Sequence, residues 1–276
     1  GVDLRRYNVL ILPPGGLNGV LSRWGDDLAT WVRGGGTLIA CESAAVAVTS
    51  MEPALTSVTL RRNALDDLEA FAVAAQREAD GRNVGLDLAD LWGDEAPAAA
   101  AGHSEDSDGE AVTASAVASA VDPATVDVEN VDVENVDPAS VDPDAERQDQ
   151  WERRFSPAGV ILRGAVDDRS WITAGCGSEL PVLVAGSHAL LAREPASTAV
   201  RLAGEETLRL SGLLWPEARH RLADSAWLTV EHAGAGQVIL FSGVPGFRGQ
   251  FVSAARLFGN AVVLGPGLGA SPPGEW

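Results

Sequence analysis

The sequence predicts a mixed α/β fold: a mostly parallel sheet with helices on both faces, plus an antiparallel hairpin. Three observations predict it. Residues 7–13 (YNVLILP) and 37–41 (TLIAC) are continuous apolar runs of the kind that form buried parallel strands. Between them, Val20, Leu21, Trp24, Leu28, Trp31 and Val32 recur at the three- to four-residue spacing of a helix. After residue 150 apolar runs and short helical patterns alternate again, and residues 226–243 read as a hairpin around Gly234 and Gly236.

Taken in order, PPGGLNG (13–19) is a turn by its Pro and Gly content. A helix over 20–33 follows and stops at Gly34, Gly35 and Gly36, and SAAVAV opens a second helix directly after TLIAC. Strand, helix, strand, helix is a βαβ unit, which implies a right-handed crossover in a parallel sheet. Residues 63–79 are expected to form an amphipathic helix. Asn63 would be its N-cap, and Leu65, Leu68, Phe71, Ala72 and Ala75 its apolar stripe. Beyond Trp151, strands are expected at 156–167 and 179–186. STAVRLAG (197–204) alternates, which predicts an edge or half-exposed strand. Pro216 starts a short helix, and 251–265 form a closing one.

Residues 94–150 differ in kind. They hold 16 acidic residues and one Arg out of a net charge of −19 for the whole chain. They carry tandem VDVEN repeats (126–130 and 131–135), recurring VDP triplets and no aromatic residue. That composition predicts a disordered acidic insert, with a low-affinity cation-binding tract as the functional alternative. The spaced ligands of an EF-hand are missing. One α/β domain is therefore expected in two halves, 1–93 and 151–276, around an insert at 94–150. The acidity argues against a nucleic-acid partner. All 20 basic residues are Arg, which with the acidic tract points to a high-GC, salt-loving source. No apolar run reaches the roughly 18 residues of a membrane span. The first residues lack a signal-peptide layout and an initiator Met, so a segment of a longer polypeptide is expected.

Few residues suggest chemistry. His103, His188, His220 and His232 stand in no HExxH, HxH or HxxE pattern, and Cys41 and Cys176 have no CxxC spacing. No metal or cofactor is therefore expected in this segment. GxSxG, GxGxxG and P-loop patterns are absent, and there is no Lys. Cys41 stands at a strand end just before a helix, where several enzymes keep a nucleophile. It reads either as a reactive thiol or as a small core residue, and Glu42 beside it opposes thiolate formation. In PGFRG (245–249), Phe247 and Arg248 lie between glycines. The Arg would bind an anion or tie down the loop through carbonyls. Trp171 and Trp215 read as packing residues or as the platform of a glycan- or peptide-binding module.

YNVLILPPGG (7–16), WVRGGGTLIA (31–40) and CESAA (41–45) resemble the class I glutamine amidotransferase-like fold. With strands matched, Glu42 falls on the nucleophile position and Cys41 on the hydrophobic position before it; a one-residue shift would restore Cys41. Residues 156–187, 211–223, 234–249 and 256–266 look like the amidotransferase-like C-terminal region of large prokaryotic carboxypeptidase A-like zinc proteins. The resemblance covers most of the chain outside 94–150. It implies a flavodoxin-like sheet and a non-catalytic accessory domain, whose partner is an upstream carboxypeptidase domain of the same polypeptide. The zinc, in an HxxE with a later His, would belong to that domain. The whole would be exported, and its activity would be peptide hydrolysis. Neither Cys41 nor Glu42 finds a base among the late residues to complete a triad.

Overall fold

Residue alternation along two strands explains how the layers are built. The computed structural model describes residues 3–82 and 142–270. Strand β2 (Thr37–Cys41) is buried along its whole length and pairs in parallel with β1 (Val9–Leu12) and β10 (Gly236–Phe241). Leu38 and Ala40 of β2 and Val238 and Leu240 of β10 face one apolar cluster. That cluster takes in the inner faces of α1 (Asn18–Arg33) and α2 (Ser43–Val48). Ile39, Cys41, Ile239 and Phe241 face the other cluster, which is closed by Leu257 and Ala261 of the last helix, Val252–Leu268. A side-chain period of two thus buries both faces, and helices cover each of them.

The rest of the sheet is antiparallel. Its order is β1-β2-β10-β9-β7-β4-β5, with β9 at Ala226–Ala233, β7 at Ser197–Leu202, β4 at Val160–Val166 and β5 at Glu179–Val184. Short strands β3 (Thr59–Leu60), β6 (Leu190–Leu191) and β8 (Arg209–Ser211) pair off this path. The expectation of a mostly parallel sheet is therefore corrected: parallel pairing is confined to β1, β2 and β10. The physical reason is connection length. β9 and β10 are joined by a tight turn, which can only link antiparallel strands. At that turn Gly234 has φ 66, and a Cβ on Gly236 would lie 2.0 Å from the Val32 carbonyl oxygen. Both positions demand glycine.

Four further expectations change. β1 is half-buried rather than buried, because it is the edge strand. Asn63 does not cap a helix; it ends a 3-10 turn (Arg61–Asn63), and α3 runs Leu68–Arg82 with only Phe71 fully buried. β7 is neither an edge nor half-exposed: it lies between β9 and β4 with five of its six residues buried. Its polar face is closed over by Glu78 of α3, which accepts hydrogen bonds from Thr198 Oγ1 (3.2 Å) and Arg201 Nε (3.0 Å). Finally, helix α4 occupies Pro143–Glu152, so the last eight residues of the span assigned to the acidic insert, 143–150, are helical. Asp142 caps it by accepting from the Asp144 amide at 2.9 Å. Residues 94–141 of the expected insert, His103 among them, lie outside the described residues.

α5 (Pro216–Leu222) and α6 (Val252–Leu268) complete the helices. α4 is fixed to α5 by a buried ion pair. Arg221 Nη2 and Nε each stand 3.0 Å from Asp149 Oδ1, with side chains 3% and 4% exposed. Among the described residues no helix is long and apolar enough to cross a membrane.

Candidate functional site: a carboxylate at a strand-to-helix elbow

β2 leads into α2 with a single residue between them, and that residue is Glu42. Its backbone sits at φ 51, ψ −117. This is a sparsely populated region for a side chain with a Cβ, and it persists only where surrounding structure enforces it. The enforcement is visible. The Glu42 amide donates to the Phe241 carbonyl (2.8 Å), and the Val46 amide donates back to the Glu42 carbonyl (3.1 Å). Glu42 therefore continues the β2–β10 ladder on one side and opens a helix on the other. A sharp, strained strand-to-helix turn is the geometry that lifts a nucleophile above a sheet. Here it lifts a half-buried carboxylate.

The carboxylate is held in a short relay. Ser43 Oγ donates to Glu42 Oε2 at 3.1 Å and accepts from the Gly15 amide at 3.0 Å. Gly15 belongs to the PPGG turn after β1, so that turn and the elbow are joined at the carboxyl ends of adjacent parallel strands. Crevices at such strand ends are the usual place for ligands in open α/β sheets. Sequence reading singled out Glu42 but missed Ser43 and Gly15. Their only signal was position in the β1 and β2 turns, and the link spans 28 residues.

Cys41 is placed differently. It is 4% exposed and packs with Ile39 and Phe241 in the cluster beneath α6. Burial pushes its thiol up to about 12. The side chain faces this cluster because Cys41 lies on the same face of β2 as Ile39, two residues earlier. Cys176 is also a free thiol, and its pKa too is raised by burial. No disulfide joins the two.

His188 stands within reach of the Glu42 charge. Its pKa is lowered, mainly by burial, with Arg62 and Arg221 adding to the fall and Glu42 opposing it. His220 is exposed, with Nδ1 3.5 Å from Glu205 Oε2, and His232 is exposed on β9. Phe247 and Arg248 lie in an exposed 3-10 turn (Phe247–Gly249) after β10. The guanidinium carbon of Arg248 is 5.1 Å from the Phe247 ring centroid, and among the described residues no hydrogen bond or ion pair holds it. Trp171 is half-buried against α6 near Gly265. Trp215 is 47% exposed and its ring centroid is 6.1 Å from that of Phe155, which in turn is 5.1 Å from Trp151. Among the described residues no group of three or more His, Cys, Asp or Glu is placed to hold a metal ion.

Compared with protein-family models, curated proteins and solved structures, the chain has no significant match.

Proposed function

We propose that this chain is a non-catalytic, class I amidotransferase-like domain that serves a zinc carboxypeptidase-like protein, packing on its peptidase domain or presenting substrate to it. The observation that carries the non-catalytic reading is the elbow itself. The nucleophile position has the strained backbone of an active elbow but holds Glu42, while the neighbouring thiol is turned into the core. A carboxylate there can accept hydrogen bonds and attract cations. It does not supply the thiolate that glutamine hydrolysis by this class requires. The parallel β1-β2-β10 core with helices on both faces supports a flavodoxin-like architecture. The resemblance of the segments in the second half supports the link to a peptidase. The zinc belongs in this reading to the peptidase domain.

The test of the domain's inactivity is direct. The purified chain, incubated with glutamine, should release no ammonia above a buffer control. Ammonia release that disappears in Cys41→Ala would overturn the reading and favour a cysteine-dependent amidotransferase or hydrolase. The peptidase partnership is tested separately. Adding the isolated chain to a carboxypeptidase domain from the same polypeptide should change its KM for peptides or co-elute with it. Neither effect would leave the accessory role without support.

A second reading has a specific observation behind it. Trp151, Phe155 and Trp215 form an aromatic cluster, edge-to-face between Trp151 and Phe155 and tilted between Phe155 and Trp215, with both Trp residues about half exposed. Exposed aromatic platforms are suited to stacking on sugar rings or peptide side chains. A glycan and peptide array probed with the wild type and with Trp215→Ala distinguishes this module from an inert packing surface.

A further inference from the structure

Near the elbow, and distinct from its hydrogen-bond relay, lies a shallow hollow, open to solvent, with room inside for about one water-sized group. Leu60, Arg62, Arg153, Ser187, His188 and Arg221 line it. The elements that bring them together are far apart in sequence: the turn after β3, the end of α4, the link between β5 and β6, and α5. Three of the lining residues are arginines, and one carboxylate, Asp149, serves two of them. Asp149 Oδ2 lies 3.1 Å from Arg153 Nε, and Oδ1 lies 3.0 Å from Arg221 Nη2. Among the described residues Arg62 has no ion-pair partner. Arg61 sits close enough for its charge to disfavour protonated Arg221. The carboxylate whose charge reaches His188 is Glu42.

The donors are also incompletely used. Arg153 Nε is buried, and although Asp149 is near, its N–H is not aimed at an acceptor. Arg221 Nη1 is already committed to the Ser187 carbonyl, and its Nε and Nη2 to Asp149. That leaves Arg62, exposed and without an ion-pair partner among the described residues, and Arg153 Nε, buried without an acceptor. Like-charged guanidiniums crowded against a partly buried wall repel one another, and an oxyanion between them relieves this while satisfying their N–H groups.

We propose that the mouth of this hollow binds the oxyanion group of a small molecule, a carboxylate or a phosphate, on Arg62 and Arg153, with one oxygen seated in the hollow. Arg221 and Asp149 frame the site and do not themselves carry the ligand. The assignment does not depend on the amidotransferase-like reading: the elbow can be inert whether or not the hollow is filled.

Isothermal titration of the full chain at low ionic strength tests it with three probes: inorganic phosphate, N-acetyl-dialanine with a free carboxylate, and the same dipeptide as its C-terminal amide. Either phosphate or the acid should bind, the amide should not, and binding should weaken as salt is raised. Preference for phosphate assigns a phosphorylated small molecule, and preference for the acid assigns a carboxylate such as a peptide C-terminus. Arg62→Gln should weaken binding at least about tenfold, as expected for loss of a charge-assisted contact. Arg62 is exposed, so the fold should survive, and circular dichroism checks this. Arg153→Gln provides a second variant with the same expected loss. Three results each overturn the proposal: no binding of either anion, measurable binding of the amide equal to that of the acid, or binding unchanged in either variant.

Discussion

Glu42 concentrates the chemistry of the elbow in one residue. Its φ of 51 costs of order 1–3 kcal/mol in a residue with a Cβ. Glu42→Gly should therefore leave stability unchanged or raise it by about 1 kcal/mol, the backbone relief being offset by glycine's unfolded-state entropy. Glu42→Val should lower it, since a β-branched residue tolerates positive φ least. Urea denaturation midpoints of the two variants check the pair. Cys41 makes the opposite kind of prediction. With its thiol pushed up to about 12 by burial, little thiolate exists at neutral pH. Alkylation at pH 7.5 followed by peptide mapping should label Cys176 before Cys41, and Cys41 fully only in denaturant. Preferential labelling of folded Cys41 would restore it as a nucleophile candidate. His188 ties stability to pH. Its folded pKa is lowered below the ordinary 6.5, mainly by burial, so the folded state favours the neutral ring. The stabilisation it contributes is complete above pH 6.5 and is lost as pH falls through the lower folded value. His188→Gln should flatten the fall in urea midpoint between pH 7 and pH 5. The Glu42 position was legible in the sequence because an apolar strand stops there and small helix-forming residues follow. The core placement of Cys41 was one of the two readings the sequence offered, and strand register, which decides which face a residue takes, selects it.

Single elements show where periodicity misleads. β7 alternates as a half-exposed strand should, yet Thr198 and Arg201 on its polar face are buried. α3 supplies the carboxylate that makes this affordable: Glu78 accepts from both. Removing it strands a guanidinium that is only 5% exposed. Glu78→Ala should cost about 3 kcal/mol, read as a fall in the urea midpoint with the slope unchanged. Asp149→Ala should cost a similar amount by freeing Arg221. It should also weaken the seat of α4, a helix whose sequence looked like the tail of an acidic insert. α4 was missed because most of its residues are polar. One buried aspartate paired across 72 residues gives it its place, and no local pattern reports such a pairing. α1, β2 and the β9–β10 hairpin were read correctly because their apolar spacing and turn glycines are local signals.

For the whole molecule, the acidic stretch and the folded part make separable predictions. Residues 94–138 contain twelve acids and no basic residue. The sequence reads them as a solvated insert, so excising them should leave the thermal midpoint of the rest within about 2 °C. Such charge removal should also reduce the dependence of that midpoint on added salt. A large loss of stability would show that the stretch packs against the domain. By itself the sequence determined the α/β class, the βαβ start, the hairpin and the elbow position. Each is set by short-range hydrophobic period and turn chemistry. Only the tertiary structure decided that most of the sheet is antiparallel, that β7 lies inside it, and that Cys41 faces the core. It alone gathered Arg62, Arg153, Arg221 and His188 around one hollow. These features depend on strand pairing and on contacts between distant residues, whose free energy comes from burial and charge compensation across the fold and leaves no periodic trace in the chain.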